Sequence, residues 1–92
     1  MKPKIGRKVY CIYGECILVE TVGFVGKDSF IIENFNVSVC DNSLEWFYED
    51  YNNEWFTSLT RAKKALIDKC SDKYDGKIKI FKVSDSAYIL DV

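Results

Sequence analysis

Histidine is absent from this chain. With it go the commonest general base, the usual metal ligand and the Ser–His and Cys–His nucleophile pairs. The Gly-x-x-x-x-Gly-Lys-Ser/Thr and Gly-x-Gly-x-x-Gly phosphate loops and the Gly-x-Ser-x-Gly nucleophile turn are missing too. Carboxylate pairs such as Glu49 and Glu54 remain, but a cleft able to engulf a sugar is hard to build in so small a domain. The expectation is a protein that is not an enzyme and uses no cofactor. There is no apolar run of the roughly 18 residues a membrane span needs, and no signal-peptide pattern, so the expectation is a soluble, cytoplasmic chain with no membrane partner.

Proline occurs once and glycine five times in 92 residues, while 48% of the chain is hydrophobic and 15% aromatic. This composition belongs to a globular domain rather than a disordered one. The length fits one domain over residues 1–92. A chain this short buries only about 60–65% of its unfolded surface, so large aromatic side chains matter to its core.

Cys11, Cys16, Cys40 and Cys70 are few and scattered. Cys11-x4-Cys16 is one close pair, but a zinc site needs four ligands, commonly in two such pairs. Each cysteine falls in or beside an apolar pattern, where a free thiol acts as a small hydrophobe, and the expectation is buried or partly buried free thiols with no metal. Reductant and chelator should then leave the melting temperature nearly unchanged.

One sign of charge is missing from a third of the chain: residues 28–60 contain no lysine or arginine. They carry Asp28, Glu33, Asp41, Glu45, Glu49, Asp50 and Glu54, together with both tryptophans. The densest part reads EWFYEDYNNEWF. Positive charge lies outside it, at Lys2, Lys4, Arg7, Lys8 and Lys27 and again from residue 61 to 82. A net charge of −1 thus conceals a polar distribution, which bears on partners more than on fold.

The hydrophobic pattern predicts strands over 8–12 and 16–22 as a hairpin, with the second running on through Phe24 and Val25 past a bend or bulge at Gly23 or Gly26. Further strands are expected over 30–35, 44–49 and 54–56, with a loop over 36–42 where Val37 and Val39 allow a short edge strand. Leu59, Ala62, Leu66 and Cys70 then recur at helical spacing, with Thr57 or Ser58 as N-cap and Arg61, Lys63, Lys64 and Lys69 toward solvent. The helix is expected over 57–71, ended by turn residues and a glycine over 71–76, and a terminal β-hairpin over 77–91. The fold class is α+β: a small antiparallel, SH3- or Tudor-like β-barrel or strongly bent sheet over 1–56, one helix in the C-terminal half, and the hairpin.

The pattern Gly6-x-x-Val9-Tyr10-x-Ile12, Ile17-x-x-Glu20-x-Val22, then Trp55-Phe56-x-Ser58-Leu59-x-x-Ala62-x-x-x-Leu66 resembles small, mostly uncharacterised proteins encoded by phages, prophages and gut Firmicutes. In them an SH3-like barrel precedes a helix. Two departures stand out: Thr60-Arg61 replaces the acids common in the first helical turn, and the terminal hairpin is an addition. The resemblance implies a fold and a mobile-element origin and transfers no catalytic residue.

Within the aromatic–acidic segment, read as a hairpin over 45–56, strand alternation sends Trp46 and Tyr48 to one face and Glu45, Phe47 and Glu49 to the other. At least half of these aromatics belong to the core. With Phe47 and Phe56 inside, some of Trp46, Tyr48, Tyr51 and Trp55 come to the surface beside Glu49, Asp50 and Glu54. Exposed tryptophan and tyrosine ringed by charge mark interface anchors. The expected function is a non-enzymatic protein-binding module of phage or mobile-element origin, whose partner is a larger protein with a basic surface. In its sharper form it is an anti-defence inhibitor of a host nucleic-acid-handling or defence enzyme, acids standing in for phosphate. The alternative is a nucleic-acid accessory domain using Arg61, Lys63 and Lys64, against which lone arginine and acid-flanked aromatics count. Faces of opposite charge also allow a homo-oligomer.

Overall fold

The computed structural model describes residues 1–33, 45–71 and 78–91. The expected loop over 36–42, the Cys40 thiol and the turn over 72–76 lie outside the described residues. The chain forms a small α+β structure: β1 (Lys8–Tyr13), β2 (Cys16–Val25), β3 (Ser29–Glu33), β4 (Glu45–Phe47), a single 3-10 turn (Tyr48–Asp50), β5 (Trp55–Phe56), α1 (Leu59–Cys70), β6 (Lys79–Ser84) and β7 (Ala87–Asp91).

The sheet is antiparallel throughout and curls into a half-barrel, in the order β4-β3-β2-β1-β5. β1 and β2 are rich in β-branched and aromatic residues and pair from Lys8↔Thr21 to Tyr13↔Cys16. Their two-residue connection places Gly14 at φ 62°, a left-handed conformation that such hairpins need and glycine adopts without penalty. Ten-residue β2 is shared: Cys16–Leu18 pair with β7, and Thr21–Val25 with β3.

The register of β2 against β3 shifts between Val22 and Phe24. This bulge at Gly23 sets the curl. Before it Val22 faces inward, and after it Val25 does, so two apolar residues three apart reach one interior. The same slip turns Phe24 outward.

Apolar side chains pack in two clusters, one on each face of the sheet. Val9, Cys11, Val22, Phe30, Ile32, Trp46 and Trp55 fill the half-barrel, and Ile12, Ile17, Phe56, Ala62, Leu66 and Cys70 form a second cluster beneath α1. The helix begins where Ser58 accepts a hydrogen bond from Arg61 N–H, at 3.4 Å, and buries the Ala62–Leu66–Cys70 stripe. It runs from Leu59 to Cys70, two residues later and one earlier than the expected bounds. The C-terminal strands extend the helix side of the sheet, with Ile80, Tyr88 and Leu90 packing on that second cluster.

One expected element is corrected. Residues 45–56 are not a hairpin: β4 pairs with β3, whereas β5 pairs with β1 at the opposite edge. The strand expected to reach Glu49 stops at Phe47: Tyr48 N–H still donates to the Asp28 carbonyl opposite it, but the backbone there turns into the 3-10 turn of Tyr48–Asp50. The Asp50 carbonyl then accepts from Asn53 and Glu54 N–H, with Asn52 at φ 66° between them, so the chain crosses the end of the half-barrel.

Candidate binding surface

Each aromatic of the acidic segment is placed by this crossing. Trp46 stands opposite Phe30 in the register and is buried. Trp55, opposite Cys11, is fully buried, its ring edge-on to Phe30 at 4.8 Å. Its indole N–H donates to the Phe47 carbonyl at 2.8 Å, joining the two edges of the curled sheet. Neither tryptophan is available as a surface anchor, so of the four aromatics expected to supply a surface ring only Tyr48 and Tyr51 stay partly exposed. The reason is closure: a half-barrel with short edge strands needs large rings from both edges to fill its interior.

Tyr48 and Tyr51 are half-buried. Tyr48 O–H donates to the Gly26 carbonyl at 2.7 Å, its ring stacks on Phe30, and Lys2 Nζ lies 5.8 Å from the ring centroid. The Tyr51 hydroxyl meets Thr57 Oγ1 at 3.1 Å, and its ring tilts against Trp55 at 4.7 Å.

Phe47 faces outward while Phe56 is buried, so the expectation that set both inside is met only by Phe56. Alternation around buried Trp46 leaves it opposite Ser29 and 44% exposed. On the same convex face Phe24 pairs with Ile31 across β2 and β3, at 59% and 44% exposure. Ile31 in turn stands opposite Glu45, whose carboxylate accepts a hydrogen bond from the Ser29 hydroxyl. Beside these lies a groove of about 510 Å³ lined by Asp28, Phe47, Tyr48 and Glu49. The result is an apolar patch bordered by carboxylates, built from β2, β3, β4 and the 3-10 turn. The sequence pattern does not mark Phe24, Ile31 and Asp28 as members of a site. The signal available for Phe24 is the bulge at Gly23, since a bulge flips the strand's faces beyond it.

The remaining expected residues separate. Glu54 turns toward the helix and pairs with Lys69 Nζ at 2.9 Å, which also donates to Asn53 Oδ1 at 3.2 Å. It therefore belongs with α1 and not with Glu49. Asp50 is half-buried and holds the turn through its backbone carbonyl. On the basic face Lys63 lies over the Tyr88 ring at 5.0 Å and is half-buried. Arg61 and Lys64 are exposed and share a shallow pocket with Asp68. Cation and acid are thus interleaved on the helix side.

The thiols of Cys11, Cys16 and Cys70 are free. Burial, with the nearby Glu20 charge adding to it, pushes the Cys11 thiol far above its ordinary range, which makes it inert as a nucleophile. Among the described residues no three metal-ligating side chains converge, and no described helix is long and apolar enough to cross a membrane. Compared with known proteins, the chain matches no family model, no curated protein and no solved structure.

Proposed function

We propose that this protein is a non-enzymatic protein-binding module whose contact surface is the convex face of β2, β3 and β4 with the Asp28–Glu49 groove. The observation that carries this reading is the outward placement of Phe24, Ile31 and Phe47 beside exposed carboxylates, while the tryptophans stay inside. Apolar side chains that three neighbouring strands leave exposed together are what a partner's surface covers, and the surrounding acids select a basic one. Phosphate backbones are disfavoured on the same ground.

In its finer form the reading takes the curled sheet as an SH3-like barrel and the protein as a phage or mobile-element product. It would then inhibit a cytoplasmic host nucleic-acid-handling or defence enzyme by covering a basic groove. The patterned positions from Gly6 to Leu66 and the separation of charge along the chain support that form.

The test is affinity capture from the source cell with two baits, the wild-type protein and a Phe47→Ala/Glu49→Lys variant shown to be folded. A basic protein retained by the first and lost by the second supports the proposal. A partner retained equally by both, or recovery of nucleic acid alone, refutes it.

A further inference from the structure

The strand β6 is an edge. Among the described residues it pairs with β7 alone. Hydrogen bonds from Val19 N–H to the Ser86 carbonyl, at 2.7 Å, and from Leu90 N–H to the Glu15 carbonyl, at 3.1 Å, fix which backbone groups of β7 face β2. Alternation then turns Ala87 and Ile89 toward β6, where Ile89 stands opposite Phe81. By the same alternation the N–H and C=O of Ile80 and Lys82 point away from β7.

Exposed apolar side chains stand along this open backbone together with two lysines, Lys79 and Lys82. Phe81 is 47% and Val83 54% exposed, and Ile89 continues the row on β7. Exposed edges are commonly guarded by lysine. Here Lys82 pairs with Asp85 at 3.2 Å, a partner that raises the lysine pKa and keeps it charged.

We infer that β6 is an interaction surface for a second copy of this chain, pairing antiparallel with its own counterpart across a two-fold axis at Phe81. That register sets Ile80 opposite Lys82 of the second copy, and Lys82 opposite Ile80. Each outward-facing N–H then meets an outward-facing carbonyl. It also brings the two Phe81 rings together at the axis as a close cross-strand pair. Lys79 is carried away from its equivalent and toward Asp85 of the second copy, whose side chain is 98% exposed. Pairing about Ile80 instead would set each Phe81 against a lysine, so apolar and charge matching both select the Phe81 axis. Two-fold contacts of this self-complementary kind are the commonest way soluble chains associate. A stable interface buries about 800 Å² per partner, more than this six-residue edge supplies, so the dimer is weak and concentration-dependent. It leaves the convex patch of β2, β3 and β4 free.

The experiment is amide hydrogen exchange and sedimentation velocity on the whole chain, from about 10 μM to about 1 mM. The amides of Ile80 and Lys82 should slow at least about tenfold at the higher concentration, while those of Lys79 and Phe81, bonded within the monomer, stay unchanged. Phe81→Lys, which sets two like charges at the axis, should keep the chain monomeric. Lys82→Pro should do the same by removing one outward N–H, which an edge strand tolerates. Circular dichroism establishes that each variant is folded. A monomer at about 1 mM with fast exchange at both amides overturns the inference, as does a dimer that survives either folded variant.

Discussion

The indole of Trp55 donates to the carbonyl of Phe47 at 2.8 Å, and these two residues belong to opposite edges of the curled sheet. Among the described residues no strand pairing joins these two edges; a buried side chain does, supported by the contacts of Phe30 with Trp46 and Trp55.

Trp55→Phe should therefore cost about 2–3 kcal/mol, combining lost volume with an abandoned acceptor. Phe47→Ala keeps that backbone acceptor and removes only an exposed ring, so it should cost about 1 kcal/mol or less. Urea denaturation measures both. Equal losses would mean that the Phe47 side chain packs inside.

Along α1, the expected order of cost is Leu66→Ala, then Lys63→Ala, then Lys64→Ala. Leu66 is fully buried and its truncation should cost about 2–5 kcal/mol. Lys63 loses its seat over Tyr88, worth about 0.5–1 kcal/mol. Lys64 is exposed and should fall below about 0.5 kcal/mol. Thermal melts of the three variants check the order, and a lysine as costly as the leucine would reverse the face assignment.

Among the described thiols, labelling of the native protein should begin at half-buried Cys16, with Cys11 and Cys70 modified only as the chain opens. Peptide mapping by mass spectrometry after timed alkylation reads this directly. Early labelling of Cys11 would show that the interior between β1 and β5 is accessible.

Glu20 lies on the half-barrel side of β2, and burial raises its carboxyl pKa above the ordinary value. A raised carboxyl holds its proton more tightly folded than unfolded, so its contribution to stability declines as pH rises from the ordinary value through the raised one. Glu20→Gln should be more stable than the natural chain at neutral pH, and the two should converge in acid. A difference that stayed constant from about pH 4 to about pH 7 would contradict this.

Much of this architecture is legible in the amino-acid sequence. Leu59, Ala62, Leu66 and Cys70 announce the helix because one face recurs every three or four residues, a local property. The alternation through Ile78 and Ile80 announces the terminal strands in the same way, and Gly23 announces the bend of β2. The candidate surface is only partly legible. Its acids are plain in residues 28–60, but pairing β4 with β5, as their closeness in the chain suggests, puts Trp46, Phe47 and Trp55 on the wrong faces. Which side of a two- or three-residue strand faces in is decided by distant partners, Phe30 and Cys11, that no local pattern reveals. The ion pair of Glu54 with Lys69 is likewise a consequence of where the helix docks.

On the convex face, Phe47→Ala should weaken partner binding by about 2 kcal/mol or more, as truncating an interface anchor does. Glu49→Lys should mainly slow association and reduce its salt dependence, because exposed charges steer encounter. Surface plasmon resonance across a salt series separates the two effects. An unchanged association rate in Glu49→Lys would remove the acids from the account.

The central claim is that the surface of Phe24, Ile31, Phe47 and the Asp28–Glu49 groove receives a basic protein segment. Chemical-shift mapping tests it most directly, titrating the isotope-labelled protein in parallel with a lysine- and arginine-rich peptide containing apolar residues and with a single-stranded DNA oligonucleotide. The account predicts salt-sensitive shifts with the peptide at Phe24, Asp28, Ile31 and residues 47–49, and none with the oligonucleotide. Shifts confined to Arg61, Lys64 and their neighbours on α1, produced by the oligonucleotide, would contradict it.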